Sequence, residues 1–489
     1  MRPPPPLGVG LVYIPGLEPL FESPDSGVEV LELEPQALWR YFPQRLHPYG
    51  NQSSVLAWLR ALPQRKIVHG VGFPVGGSRF PDPRHLPVLG ETITAVGAAW
   101  SSEHLVFNEA RDNGGDTFRT GFFLPPLATP SGVIAAAANI KRIAASLPVP
   151  FAVETPANYL RPIAGQMRDG VFTAAVVEQA DCGILLDLHN LWANELNGRQ
   201  PVEAFLNDIP LERVWEIHLA GGFHLNGYWL DAHSGAIPAP VLDWARRLIP
   251  RLPHLSAIVF ELLPAYLPEF GLAGVRRAVE QMHELWDLRN SRRDATTPCH
   301  RSVVHLQGEY EELSPSEWED TLANLILSGE TPGTALGARL AVDPAIPMIR
   351  KLTCKFRMSA IVANLRLSLR LLMLSLPREA FDRLVSDYCR EIKPERFAAL
   401  EANHFADYLN ALALDIPYLE DVLRYETTAM DVIADGQPRS VPFNVDPSRL
   451  LESLARGELP PKLDEKPVRY EAEIVPPEDR TFAGPASLH

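Results

Sequence analysis

His69, His104, Glu154, Asp187, His218, Asp231, His233 and Glu261 can all bind a first-row metal through nitrogen or oxygen, and they are scattered from residue 69 to residue 261. What they share is position. Each falls near the end of a short apolar run or, for Asp231 and His233, in the segment that follows one. A purely structural role would bury several charges side by side, and each unpaired buried carboxylate costs on the order of several kcal/mol. Three or four acids gathered with histidines therefore require cations among them. Imidazole and carboxylate without thiolate suit iron, manganese or zinc, and eight ligands exceed the needs of one ion, so two or three ions are expected. One stretch, IHLAGGFHLNGYWLDAH at 217–233, carries three of the eight side chains and a further histidine, His224.

The elements that must position these residues form a regular pattern. Candidate strands are LGVGLVY at 7–13, GVEVLEL at 27–33, KIVHGVG at 66–72, EHLVF at 103–107, PFAVE at 150–154, CGILLDL at 182–188, RVWEIHL at 213–219 and SAIVFEL at 256–262. Between them lie stretches of helical periodicity such as SGVIAAAANIKRIAASL at 131–147 and APVLDWARRLIPRL at 239–252. Eight strands alternating with helices predict an α/β fold, a (β/α)8 TIM barrel over residues 1–285, whose active site belongs at the C-terminal ends of the strands. The acids and histidines fall at those ends. RNSRRDATTP at 289–298 is rich in polar and breaker residues, which predicts a linker over 286–312. From 313 to 489 the chain reads as a smaller, mainly α-helical domain, with LPPKLDEKPVRYEAEIVPPEDR at 459–480 as a surface strand or strap.

Composition narrows the class. A formal net charge of -15 opposes a general attraction to nucleic acid or anionic membrane. The glycine-rich VGFPVGGS at 71–78 lacks the lysine of a phosphate-binding Walker loop and the spacing of a dinucleotide fingerprint, so a barrel loop near the metals is expected there. No apolar run has the length of a membrane span or a signal-peptide core, which predicts a cytoplasmic protein. Cys182, Cys299, Cys354 and Cys389 lie far apart with no paired spacing, so neither a disulfide framework nor a thiolate site is expected.

HGVG at 69–72, SEHLVF at 102–107, ETPANY at 154–159, LLDLHN at 185–190, EIHLAG at 216–221, DAH at 231–233 and FE at 260–261 resemble, in order and spacing, the multinuclear non-heme iron-dependent oxidative enzymes. These form a barrel family that includes methanobactin-type biosynthesis oxidases. The resemblance covers residues 7 to about 285. It implies two or three iron ions cycling between Fe(II) and Fe(III), O2 as co-substrate, and oxidative modification of a ribosomally synthesised precursor peptide. Carried over motif by motif, it assigns the eight residues above as iron ligands. Asn158, His189, Asn190 and His224 are left as further ligands or as groups that orient the ligands. Two departures stand out. Relatives that read D-V-N-N correspond here to Asp187-Leu188-His189-Asn190, and where relatives continue HLAG with a histidine this chain has Gly222, then Phe223 and His224.

The helical region, through FRMSAIVANLRLSLRLL, PREAFDRLVSDYCREIKP, HFADYLNAL and IPYLEDVLRYETTAMDV, resembles the partner proteins that accompany these oxidases. That implies a fused peptide-recognition domain, with Arg350, Lys351, Lys355, Arg357, Arg366 and Arg370 as candidates to engage an acidic leader. A solvated helix face explains the same charges. Two other readings fit the ligand pattern: a redox-neutral di- or trinuclear barrel of the zinc phosphodiesterase or sugar isomerase type, and a non-catalytic peptide- or DNA-binding scaffold.

Overall fold

The computed structural model describes residues 2–42, 45–112, 114–290, 309–463 and 470–476. Eight parallel strands close into a barrel: β1 (Gly8–Val12), β2 (Val30–Leu33), β3 (Arg65–Gly70), β4 (Ser101–His104), β5 (Phe151–Glu154), β6 (Gly183–Asp187), β7 (Val214–Ala220) and β8 (Ala257–Glu261). Each strand pairs with its sequence neighbours and β8 closes on β1, the arrangement of the predicted (β/α)8 fold. The strands are near-continuous apolar runs because helices cover one face and packed side chains fill the other. Leu7, Val12, Val30, Ile67, Trp100, Ala257 and Val259 form one cluster of that core.

Register sets the chemistry at one end. His104 lies opposite Glu154, Asp187 opposite His218, and Ala220 opposite Glu261. The β4 strand begins two residues before the predicted run, and Phe107 instead opens a hairpin of strands Phe107–Arg111 and Thr117–Leu124. The segment after β7 is also a hairpin, Gly222–Leu225 against Tyr228–Asp231, turning at Asn226 (φ 51°) and Gly227 (φ 84°). Asn-Gly with both residues at positive φ is the turn whose twist matches paired strands.

The described residues divide into two compact units. The first holds the barrel, over residues up to 110, 123–323 and 331–348; the second holds 111–122, 324–330 and the described residues from Ile349 onward. Of the linker expected at 286–312, residues 291–308 lie outside the described residues. Helix Pro315–Ser328 sends Trp318 and Glu319 into the first unit, where the Trp318 indole donates to the Pro125 carbonyl at 2.9 Å and Glu319 accepts from Ser78 Oγ at 2.6 Å and Arg79 at 2.8 Å.

In the second unit, helices Arg366–Ser375, Arg378–Glu391, Ala398–Leu412, Leu419–Asp435 and Pro447–Arg456 bury a core around Leu372, Tyr388, Phe405, Val422 and Leu450. Within the expected C-terminal strap, Tyr470–Ile474 pairs with Arg439–Phe443, and residues 464–469 and 477–480 lie outside the described residues. The expectation of unpaired thiols is corrected at two positions. Cys354 and Cys389 form a disulfide between neighbouring helices, with Cα atoms 5.8 Å apart. Their separation of 35 residues follows from helix packing and leaves no local spacing signal. Cys182 is a buried free thiol, and Cys299 lies outside the described residues. Among the described residues no single helix is long and apolar enough to cross a membrane.

Candidate metal centre

At the C-terminal mouth of the barrel the eight residues singled out above converge. Among these eight, two groups have ligand atoms within 4.8 Å of one another, His69 with His104 and Glu154, and Glu154 with Asp187, His218 and Glu261; a third group joins His218 to Glu32 and Glu216. Glu154 belongs to both of the first two. Its Oε2 lies 3.1 Å from His69 Nε2 and 2.9 Å from His104 Nε2. Asp231 and His233 lie at the edge: His233 Nε2 is 2.9 Å from Asp231 Oδ1 and 3.3 Å from Glu261 Oε2. His233 adopts φ 43°, a left-handed conformation that a non-glycine residue holds only when its surroundings demand it.

The outer nitrogens of three histidines have partners that fix their rings. His69 Nδ1 meets Ser102 Oγ at 2.9 Å, His104 Nδ1 donates to the Gly70 carbonyl at 3.1 Å, and His218 Nε2 lies 2.9 Å from Glu32 Oε2. An outer nitrogen that donates leaves the inner one as a lone pair, the state a metal needs. The inward atoms Glu154 Oε2, Asp187 Oδ2, Asp231 Oδ1, Glu261 Oε2, His218 Nδ1 and His233 Nε2 are buried without a well-formed hydrogen bond. Buried polar atoms are rarely left so, and a convergent set of nitrogens and carboxylate oxygens with no Lys or Arg among them fits two or more divalent cations.

The electrostatics agree. Burial pushes the Asp187 carboxyl well above the usual carboxylate range, and the nearby Asp231, Glu154 and Glu261 push it further. Burial would lower the imidazolium values of His104, His218 and His233, but facing carboxylates outweigh it and hold all three well above the ordinary range. Burial would raise Glu154, yet His104 and His69 hold it well below. Without cations, charge in this centre is balanced by protons.

The remaining candidates are placed differently. Asn158 shapes a turn, its side-chain oxygen accepting from Leu160 N at 3.1 Å, with nothing that brings it into the cluster. Asn190 donates to the Thr155 carbonyl at 3.4 Å while its own buried oxygen has no hydrogen-bond partner. His189 is fully buried, with Nδ1 3.2 Å from Asp231 Oδ1. His224 is exposed on the hairpin and packs edge-on against Trp229 at 4.8 Å. In the helical unit Arg350, Lys351 and Lys355 are exposed. Arg357 is corrected: it is 2% exposed and bound to Glu401 at 2.7 Å, out of reach of a peptide. Arg370 is partly buried and donates to the Leu454 and Ala455 carbonyls at 2.6 Å each, at the end of helix Pro447–Arg456.

Sequence reasoning misses four acids. Glu32 and Glu216 sit wholly buried beneath His218; burial and Glu216 push Glu32 up to about 8, and the Trp100 indole donates to Glu216 at 2.9 Å. Glu103 lies 3.2 Å from His104 Nδ1, and Glu34, just past β2, is raised by burial and feels His69, Glu261, His233 and His104. The signal was in the alternation of L-E-L-E and W-E-I-H: an acid at every second position of a barrel strand faces the interior.

Residues 42–266 match the family of RiPP precursor modification enzymes MbnB/TglH/ChrH. A UPF0276 protein of Streptomyces avermitilis is 34% identical over 197 residues, a match that spans 40% of this chain and only 40% of the relative's length. One from Chromobacterium violaceum is 30% identical over 237 residues, 48% of this chain and 83% of its own. Among solved structures, D-psicose 3-epimerase from Clostridium cellulolyticum has a TM-score of 0.38 at 9% identity, covering 58% of this chain and 98% of that one. Endonuclease IV from Thermus thermophilus has a TM-score of 0.36 at 15% identity, covering 57% and 100%.

Proposed function

The chain belongs to the MbnB/TglH/ChrH family of RiPP precursor modification enzymes, and from that premise we propose that it oxidatively modifies a ribosomally synthesised precursor peptide in the cytoplasm, using two or three iron ions and O2. The observation that carries this reading is the convergence of unpartnered histidine nitrogens and carboxylate oxygens into two groups that share Glu154. His69, His104 and Glu154 would hold one ion; Glu154, Asp187, His218 and Glu261 would hold a second; Asp231 and His233 would complete the centre on its open side. Glu154 belongs to both groups and would be the residue the two ions share. Bound iron supplies the capacity to reduce O2 and withdraw electrons from the peptide.

The chain's own residues orient and admit. Ser102, the Gly70 carbonyl and Glu32 fix the ligand rings. Access is one-sided: the side chains of His69 and His218 are 1% and 0% exposed, whereas His104, Asp231 and His233 are 16%, 18% and 24% exposed. The peptide therefore meets the centre along the His104, Asp231 and His233 rim. The helical unit, with exposed Arg350, Lys351 and Lys355, engages the leader, and its fusion to the barrel holds it at roughly millimolar effective concentration. The test is O2 consumption and a mass change in the cognate peptide with anaerobically prepared, Fe(II)-loaded protein. An iron-free form that behaves identically refutes the proposal.

A further inference from the structure

His189 differs from the other histidines of the centre in what its outer nitrogen meets. The outer nitrogens of His104 and His218 face acceptors, whereas His189 Nε2 faces the indole N–H of Trp229 at 2.9 Å. An indole nitrogen only donates, and a neutral imidazole carries one donor and one acceptor. His189 Nε2 must therefore accept, so its proton sits on Nδ1, which faces Asp231 Oδ1 at 3.2 Å as an ion-pair contact short of a well-formed hydrogen bond. A protonated nitrogen has no lone pair for a metal.

The indole has little freedom to relax this. The Trp229 backbone is held on both sides by Asn197, whose amide donates to the Trp229 carbonyl at 2.9 Å and whose oxygen accepts from Trp229 N at 2.8 Å. Trp192 and His224 each stand edge-on to its ring at 4.8 Å. Gly222 lies against the bond: a Cβ there would be 2.7 Å from Trp229 Nε1, 2.8 Å from His189 Nε2 and 2.2 Å from the Leu230 carbonyl oxygen. Only glycine leaves the indole and imidazole room to meet.

We propose that His189, locked by Trp229 as the Nδ1–H tautomer, is a positioning residue that turns its Nδ1–H toward Asp231, and is not a metal ligand. This rests on the reading of Asp231 as part of the metal centre, so one arm of the test needs neither metal nor reaction. In the metal-free full-length protein labelled with 15N-histidine, the ring signals lost in His189→Asn belong to His189. They are expected to show a protonated Nδ1 and a bare Nε2, with Trp229→Phe releasing a population of the opposite tautomer. An Nε2–H tautomer in the parent protein, or no response to Trp229→Phe, overturns the proposal. In the second arm, Co(II) is counted at saturation in the absence of O2 and peptide. His189→Ala is expected to keep the full ion count with affinity weakened roughly 10–100-fold. His189→Asn, whose amide N–H replaces Nδ1–H, is expected to recover most of that affinity. Loss of one ion in both variants, as in His104→Asn, overturns it.

Discussion

Replacing Glu154 by glutamine should cost the protein more ions than replacing any other ligand. The amide keeps the volume but removes the charge and leaves one weakly basic oxygen where two groups share a carboxylate. His104→Asn disturbs only the first group and Asp187→Asn only the second. An ion present at a hundredfold excess over its Kd stabilises the folded state by about 2.7 kcal/mol, so two ions contribute about 5 kcal/mol. At about 2–4 °C per kcal/mol for a domain of this scale, metal should raise the parent Tm by about 10–20 °C. His104→Asn and Asp187→Asn should retain about half that gain, and Glu154→Gln almost none. Thermal unfolding with and without Fe(II) under anaerobic conditions, with elemental analysis of each variant, reads both quantities. If Glu154→Gln keeps as many ions as either single-group variant, the shared-carboxylate geometry is wrong.

Metal affinity should rise between pH 6 and 8, because His104, His218, His233 and Asp187 bind protons above their ordinary range in the metal-free protein and an incoming cation must displace them; titrations at the two pH values that coincide would refute this. The sign for stability is the reverse. A raised imidazolium value contributes stability that is complete below about pH 6.5 and lost as pH climbs through the raised value, so the metal-free Tm should fall from neutral pH upward. In the helical unit, Arg357→Met leaves Glu401 buried with only the Tyr388 hydroxyl at 2.8 Å and the Glu395 N–H at 2.7 Å. Denaturant unfolding of that unit should show a loss of about 3–5 kcal/mol, largely recovered in Arg357→Met/Glu401→Gln. Thiol titration of unfolded, unreduced protein should count two free cysteines, rising to four after reduction; four from the outset removes the Cys354–Cys389 bond.

The barrel was legible because short, mostly apolar runs alternate with helical segments, and four of the strands end in His104, Glu154, Asp187 and Glu261, which the barrel's geometry assigns to one face. The seven motifs located the residues that converge there for the same reason. The acids beneath them carried only the weak signal of strand alternation, which does not say which face is inside until closure turns Glu32 and Glu216 inward and packs them under His218. The hairpin at 222–231 did carry a signal, Asn226-Gly227 between alternating residues, which the density of metal-competent side chains masks. The disulfide joins helices whose packing no periodicity specifies. The most instructive case is the pair of departures at 189 and 222. Far apart in sequence, they touch in space: the side chain absent at Gly222 leaves the room that the His189 imidazole and the Trp229 indole occupy.

Asp187 divides its labour between two oxygens. Oδ1 accepts from Asn190 N at 2.7 Å and caps helix Leu188–Leu196, while Oδ2 points unpartnered into the centre. Asparagine preserves the cap and surrenders the charge; alanine surrenders both, and with them about 1 kcal/mol of helix start. Glutamate keeps the charge on a longer arm that no longer fits the cap. On the proposed reading, aspartate is thus the one residue that would satisfy the helix and the ions at once, and any lineage that abandons the metals should be free to drift at this position first toward asparagine, serine or threonine, the other side chains that still begin a helix.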